Sequence, residues 1–344
     1  MLVLTSLPFA SGFAVSSIAT FVSAFVLGYL LKHPSKLDTG LRRTIQQYGY
    51  AKRQKPLKKL IHDNAKAPDC PYEYLLNIYG RHHFAPFVKA FDGELKNRDP
   101  EKYTLILDIM DAVHFCLILV DDICDDSPKR KNQTTAHLIY GSSETANRAY
   151  FVLTKVINRA MREFPVLGTE LLEALEQILE GQDISLVWRR DGLQAFAFGA
   201  DERVLAYKNM AQLKTGTLFV LLGRLLNDGG NQLDDLFLRF GWYAQLQNDC
   251  KNVYSADYST NKGAVAEDLR NGELSFPIVV GLNDEVVGPY IEKAFRSQHE
   301  SEICEALAHL ESAKIKKKCL NALQEAARGL DSLVGFWGRR EQIV

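Results

Sequence analysis

After about Tyr72, apolar residues recur at three- and four-residue spacing, as in LLEALEQILEG (171–181) and LFVLLGRLL (218–226). This is the period of a helix that buries one face. No sustained apolar/polar alternation appears, and no Asn-Gly or Asp-Gly pair is flanked by one. No proline falls between Pro165 and Pro277 to interrupt helices there. Turns are expected at Asn227-Asp228-Gly229-Gly230, around Asn271-Gly272 and at Asn283-Asp284. The pattern predicts an all-α domain over 69–344, a large helical bundle with its site between the helices.

The amino-terminal part breaks this pattern. Residues 1–31 carry no charge, and Phe9 to Leu31 is mostly apolar, a run of the length a membrane-spanning helix needs. Ser, Thr and Gly dilute it, and an extra helix packed on the domain is the alternative. Lys32, His33, Lys36, Arg42 and Arg43 follow at once. With a membrane anchor in place, they would keep the rest of the chain on the cytosolic side, for example of the endoplasmic reticulum. No basic residue precedes the run, which argues against a cleaved signal peptide. Residues 32–68 are basic and polar and read as a connector. The C-terminal LVGFWGRREQIV is amphipathic, suited to covering a site or docking on a partner chain, and lacks a CaaX or peroxisomal signal.

Composition narrows the function classes. The chain has 344 residues and a net charge of −1, enough length for a sizeable core and no basic excess for nucleic acid. Its 6 cysteines are scattered without a CxxC pair, as reduced thiols in a cytosol-facing protein would be.

Two polar clusters carry the candidate chemistry. VDDICDD (120–126) ends an apolar run, and QLQNDCKN (245–252) repeats its spacing with amides in place of acids. On a helix Asp121 and Asp125 share a face. Clustered carboxylates repel unless cations neutralise them, and Mg²⁺ takes one or two carboxylates together with substrate phosphates. The bland alternative is a solvated acidic helix end.

From about Pro71 to Pro277 the chain resembles the trans-isoprenyl diphosphate synthases, geranylgeranyl diphosphate synthases in particular. The resemblance is carried, in order, by PYEYLL (71–76), H-x6-DDICDDSPKR (114–130), AHLIYG (136–141), GQ-x5-WR (181–189), KTGTLF (214–219), Q-x-x-ND-x-x-N (245–252) and NKG-x3-EDL-x-x-GE-x-SFP (261–277). It implies an all-α fold around a central cavity. Asp121, Asp122, Asp125 and Asp249 are then the catalytic acids, with Mg²⁺ on Asp121, Asp125 and Asp249. Arg130, Lys214 and Lys262 would contact the departing diphosphate, and Thr215, Gln245, Asn248 and Asn252 belong to the same substrate-binding wall. Cys116 and Leu117 would line the prenyl pocket. Neither is a bulky aromatic, which suits a C20 chain. Members of the family are commonly homodimers.

The departures from the family lie mostly on the acceptor side. The second motif begins with Asn248, not aspartate. The GKxxR motif for isopentenyl diphosphate is GRHHF (80–84), with Arg81 for the lysine and Phe84 for the arginine. Lys131 replaces an arginine and loses its bidentate fork, while His114 is kept. Ser185 and Val187 replace an aspartate and a tyrosine. Phe84 would pack on a flat ring, with Arg81, His114 and Lys131 on a single phosphate. This pattern resembles the fungal indole-diterpene pathway transferases, which join geranylgeranyl diphosphate to indole-3-glycerol phosphate. That class usually ends its second motif with aspartate, where Asn252 stands here. The competing expectations are a chain-elongating synthase using isopentenyl diphosphate, a class I terpene cyclase, and a non-catalytic partner subunit.

Overall fold

The computed structural model describes residues 70–258 and 265–338. The apolar run 1–31, the connector 32–68 and Lys262 lie outside the described residues.

The bundle is built round one buried helix. After the short α1 (Pro71–Tyr79) and α2 (Ala85–Phe91), α3 runs from Pro100 to Cys124. Its start is fixed by Asp99, whose carboxylate accepts from the Lys102 backbone N–H at 2.9 Å, and by Pro100 in the first turn. Its sequence is apolar on nearly every face, as a helix enclosed by others requires. It is long and apolar enough to cross a membrane, yet most of it is buried inside this domain. It is the core helix.

Around it pack α4 (Ser142–Glu163), α5 (Pro165–Asp191), α7 (Thr217–Leu226) and α8 (Asp234–Tyr254), each against the next, with α7 returning to α3. Between α5 and α7 lies α6 (Ala200–Ala211), which runs into a π-turn at Gln212–Gly216. The chain closes with α9 (Phe276–Leu282), α10 (Gly288–Ser297), α11 (Glu300–Leu310), α12 (Ala313–Ala327) and α13 (Asp331–Gly338). The expected turns are where helices break: Asp228 and Gly229 take φ of 50° and 84°, and Gly272 takes 67°.

A two-stranded hairpin departs from the all-helical pattern. Lys129–Arg130 (β1) pairs antiparallel with Gln133–Thr134 (β2). Lys131 and Asn132 form its turn with φ of 49° and 61°, the left-handed pair that a tight hairpin needs. The hairpin follows the first acidic cluster directly and turns Arg130 back onto it.

Candidate functional site

The first acidic cluster sits at the C-terminal end of α3. Asp121 and Asp122 occupy its last turn, and Asp125 caps it. Asp122 is buried and is held by Arg130, whose Nε donates to Oδ1 at 3.0 Å and whose Nη2 donates to the same oxygen. Asp121 and Asp125 remain partly open. Lys214 Nζ lies 3.2 Å from Asp121 Oδ1, and Arg189 Nη1 lies 2.8 Å from Asp125 Oδ1. Glu273 joins from the segment before α9, 4.0 Å from Lys214. Burial and the neighbouring Asp121 and Glu273 push the Asp125 carboxyl up to about 8. Burial likewise raises Glu273 to about 7, against the pull of Lys214. Burial opposes the Lys214 ammonium, but the Asp121, Glu273 and Asp125 carboxylates outweigh it and hold its pKa above the ordinary lysine value.

This donor set fits Mg²⁺. Asp121, Asp125 and Glu273 offer only hard oxygen ligands, and the carboxylates of Asp121 and Glu273 add to burial in disfavouring the charged form of Asp125, an effect that a divalent cation would oppose. Among the described residues no three His, Cys, Asp or Glu side chains converge closely enough to hold a metal ion by themselves. A partial set suits an ion that keeps water and substrate phosphates as ligands.

The second cluster is arranged differently from the expectation. Asp249 is 2% exposed. Its Oδ2 accepts from the Tyr207 hydroxyl at 2.6 Å and the Phe276 N–H at 3.0 Å, and its Oδ1 accepts from Gln245 Nε2 at 2.8 Å. Burial raises its pKa to about 6 despite these donors. The expected metal ligand is thus turned into the packing of α6, α8 and α9. Asn248 is exposed instead, and its Oδ1 accepts from Tyr258 at 2.9 Å. Asn252 Nδ2 donates to Asp268 Oδ1 at 3.1 Å, and its carbonyl accepts the Ala266 N–H at 3.2 Å. The amides therefore tie down the chain on either side of 259–264. An aspartate at 252 would face Asp268 with like charge. Ser185 is similar, because its hydroxyl lies 3.4 Å from Glu273, where a second carboxylate would repel.

The acceptor side is also arranged differently from the expectation. Gly80 and His82 take φ of 84° and 58°, and Asp111 secures the turn by accepting the His82 and His83 N–H groups at 2.6 and 3.1 Å. This conformation turns Arg81 outward, 62% exposed, onto Glu73. Phe84 is 0% exposed and packs on Phe87, Phe219 and the edge of His114, so its ring is core and not an open wall. The group beside His114 is His83, with ring centroids 5.4 Å apart and planes 16° from parallel. Tyr79 meets both rings edge-on, and Lys131 Nζ lies 4.1 Å over the Tyr79 ring. Burial first, then the charges of His83, Arg130 and Lys131, push the His114 pKa down to about 3.

Cys116 is buried in a small apolar cluster with Leu75, Leu76 and Leu119, whereas Leu117 packs against the main core. Thr215 Oγ1 donates to Gln245 Oε1 at 2.5 Å, so these two expected substrate contacts bond each other. Sequence reasoning missed Arg189, Glu273 and Tyr207 as individuals. The first two stand in quoted motifs, GQ-x5-WR and GE-x-SFP, while nothing local marks Tyr207.

Comparison with known proteins follows the same lines. The polyprenyl synthetase family model matches residues 67–310. "Prenyltransferase idtC" of Claviceps paspali is 61% identical over 97% of each chain. "Prenyltransferase ltmC" of Epichloe festucae var. lolii is 62% identical over 96% of each. The fold is shared with a polyprenyl synthase from Caulobacter crescentus, solved with calcium and isoprenyl diphosphate. That match has a TM-score of 0.57 and 19% identity over 69% of this chain and 73% of that one. A geranylgeranyl pyrophosphate synthase from Lactobacillus brevis has the same TM-score, 0.57, at 20% identity, over 69% and 74% of the two chains.

Proposed function

Because this chain belongs to the polyprenyl synthetase family and is a prenyltransferase, we propose that it moves the C20 chain of geranylgeranyl diphosphate onto indole-3-glycerol phosphate, a step of indole-diterpene biosynthesis. The observation that carries this reading is the pairing of a kept donor side with a rebuilt acceptor side. Asp121, Asp125, Lys214 and Arg189 stand together as a diphosphate site. Beside Phe84, at the lost GKxxR arginine position, stand His83 and His114, with the Tyr79 ring against both and Lys131 over that ring. Such a set suits one phosphate and one flat ring. The sequence similarity to the fungal prenyltransferases supports it.

Asp121 and Asp125, with Glu273 beside them, would hold Mg²⁺, which supplies positive charge to the leaving diphosphate. Lys214 and Arg189 lie where they can add to that charge as it develops. The C1–O bond breaks, and the diphosphate leaves with the electron pair. The electron-rich indole C3 attacks the allylic C1, and its proton passes to the released diphosphate. Binding the acceptor phosphate on the histidine side places C3 next to that carbon.

A chain-elongating synthase is the second reading, favoured by the kept His114 and by Lys131, which preserves the positive charge of the arginine it replaces. The deciding experiment supplies Mg²⁺ and geranylgeranyl diphosphate with either indole-3-glycerol phosphate or isopentenyl diphosphate, followed by mass spectrometry. Prenylated indole in the first reaction supports the proposal. Elongated diphosphate in the second, with no indole product, overturns it.

A further inference from the structure

Lys214 reaches Asp121 from the π-turn Gln212–Gly216, where the helix takes an extra residue. The turn is wedged between two helices at positions that fit glycine. A Cβ on Gly181 would come within 2.7 Å of the Lys214 backbone nitrogen, and one on Gly241 within 2.5 Å of the Gly216 Cα. A hydrogen-bond relay also pins it. Thr215, next to Lys214, donates to Gln245, Gln245 donates to Asp249, and Asp249 accepts from Tyr207 and the first N–H of α9. Oδ2 carries two of these donors and Oδ1 one, and the side chain is buried where the relay is made.

We infer that Asp249 is a positioning residue, which acts through Gln245 and Thr215 to hold the turn that aims Lys214 at Asp121. The inference rests on the donor-site reading for the role of Lys214. It assigns Asp249 a mechanical task. Asparagine can fill the same relay. Its oxygen can accept from Tyr207 and Phe276, and its amide can donate to Gln245 once the Gln245 amide turns over towards Thr215. Alanine cannot.

The test uses the full chain and two readouts. Mn²⁺ uptake with inorganic diphosphate is followed by electron paramagnetic resonance, and donor ionisation by diphosphate release from geranylgeranyl diphosphate. Asp249→Asn should bind Mn²⁺ within about twofold of the unaltered protein, whereas Asp121→Ala should lose about tenfold or more. Asp249→Ala should lower kcat roughly 30-fold, Asp249→Asn should restore most of it, and Asp249→Ala should add less than about twofold to Lys214→Ala. A tenfold loss of Mn²⁺ affinity in Asp249→Asn would make Asp249 a ligand and overturn the inference. Full additivity with Lys214→Ala would overturn it too, as a general brace. If the unaltered protein takes up no Mn²⁺ with diphosphate, the donor-site reading fails. The relay is then judged by thermal denaturation, where additive effects of Asp249→Ala and Thr215→Val would sink it.

Discussion

The rings of His83 and His114 stack 5.4 Å apart at 16°, and this pair occupies the place where the sequence suggested Arg81 and Phe84. The charges of Arg130 and Lys131 act on His114, and Lys131 lies over the Tyr79 ring that meets both imidazoles edge-on. A phosphate entering there would meet two imidazoles and a lysine.

His83→Ala should therefore raise the acceptor KM about tenfold, the scale of one charge-assisted hydrogen bond. Arg81→Ala should leave it within about twofold, since an exposed pair such as Arg81–Glu73 contributes little. Steady-state kinetics with varied acceptor measure both. The reverse ranking would restore Arg81 as the phosphate ligand.

Phe84 yields a prediction opposite to the one its alignment suggests. An arginine at 84 would place an unpaired charge among Phe87, Phe219 and His114. Phe84→Arg should lower thermal stability sharply, by about 3 kcal/mol or more, without gaining use of isopentenyl diphosphate. Phe84→Leu should cost about 1 kcal/mol and leave acceptor KM within about threefold. A tenfold KM rise in a stable Phe84→Leu protein would mean the ring touches the acceptor.

The helical fold was legible because its period is written into the chain, and the first acidic cluster because four aspartates end an apolar run. The direction in which single side chains point was not. Neighbours on a helix point about 100° apart, so ND names a pair without saying which member faces the cavity. Asn248 is the exposed member, and Asp249 is buried and claimed by Tyr207, 42 positions away in the chain. Arg189 meets Asp125 across 64 positions, a pairing that only the folded arrangement of the helices creates. The hairpin was hidden for another reason. Its strands are two residues long, and Lys131-Asn132 makes the turn without glycine.

Asn252 explains part of the second motif's low acidity. Its amide donates to Asp268, so Asn252→Asp should set two carboxylates against each other. We expect a loss of about 1 kcal/mol and a Tm lower by roughly 2–4 °C. Adding Asp268→Asn exchanges the two partners and should recover most of the loss. A double variant no more stable than Asn252→Asp alone would show that the pair does not govern this position.

The pH dependence of stability should be visible at Asp284, in the turn between α9 and α10. Its Oδ1 accepts from the Val286 N–H at 3.1 Å, and Lys314 and Lys318 of α12 lie 2.7 and 3.5 Å from Oδ2. The Lys314 contact leads in holding this carboxyl down at about 2, below the ordinary 3.8. A carboxyl depressed in the folded state stabilises the fold fully above its unfolded pKa. That contribution fades as pH falls from about 4 to about 2. Both lysines are about half exposed or more, so solvent screening trims the effect to about 1 kcal/mol. Asp284→Asn should thus be less stable than the unaltered protein by that amount at pH 7, in urea denaturation at low salt. The gap should shrink as pH falls through this window, and at pH 7 it should narrow in 1 M salt. A gap that is the same at pH 7 and pH 3 and insensitive to salt would assign the effect to the Val286 hydrogen bond, and the lysine charges would then have no measurable part.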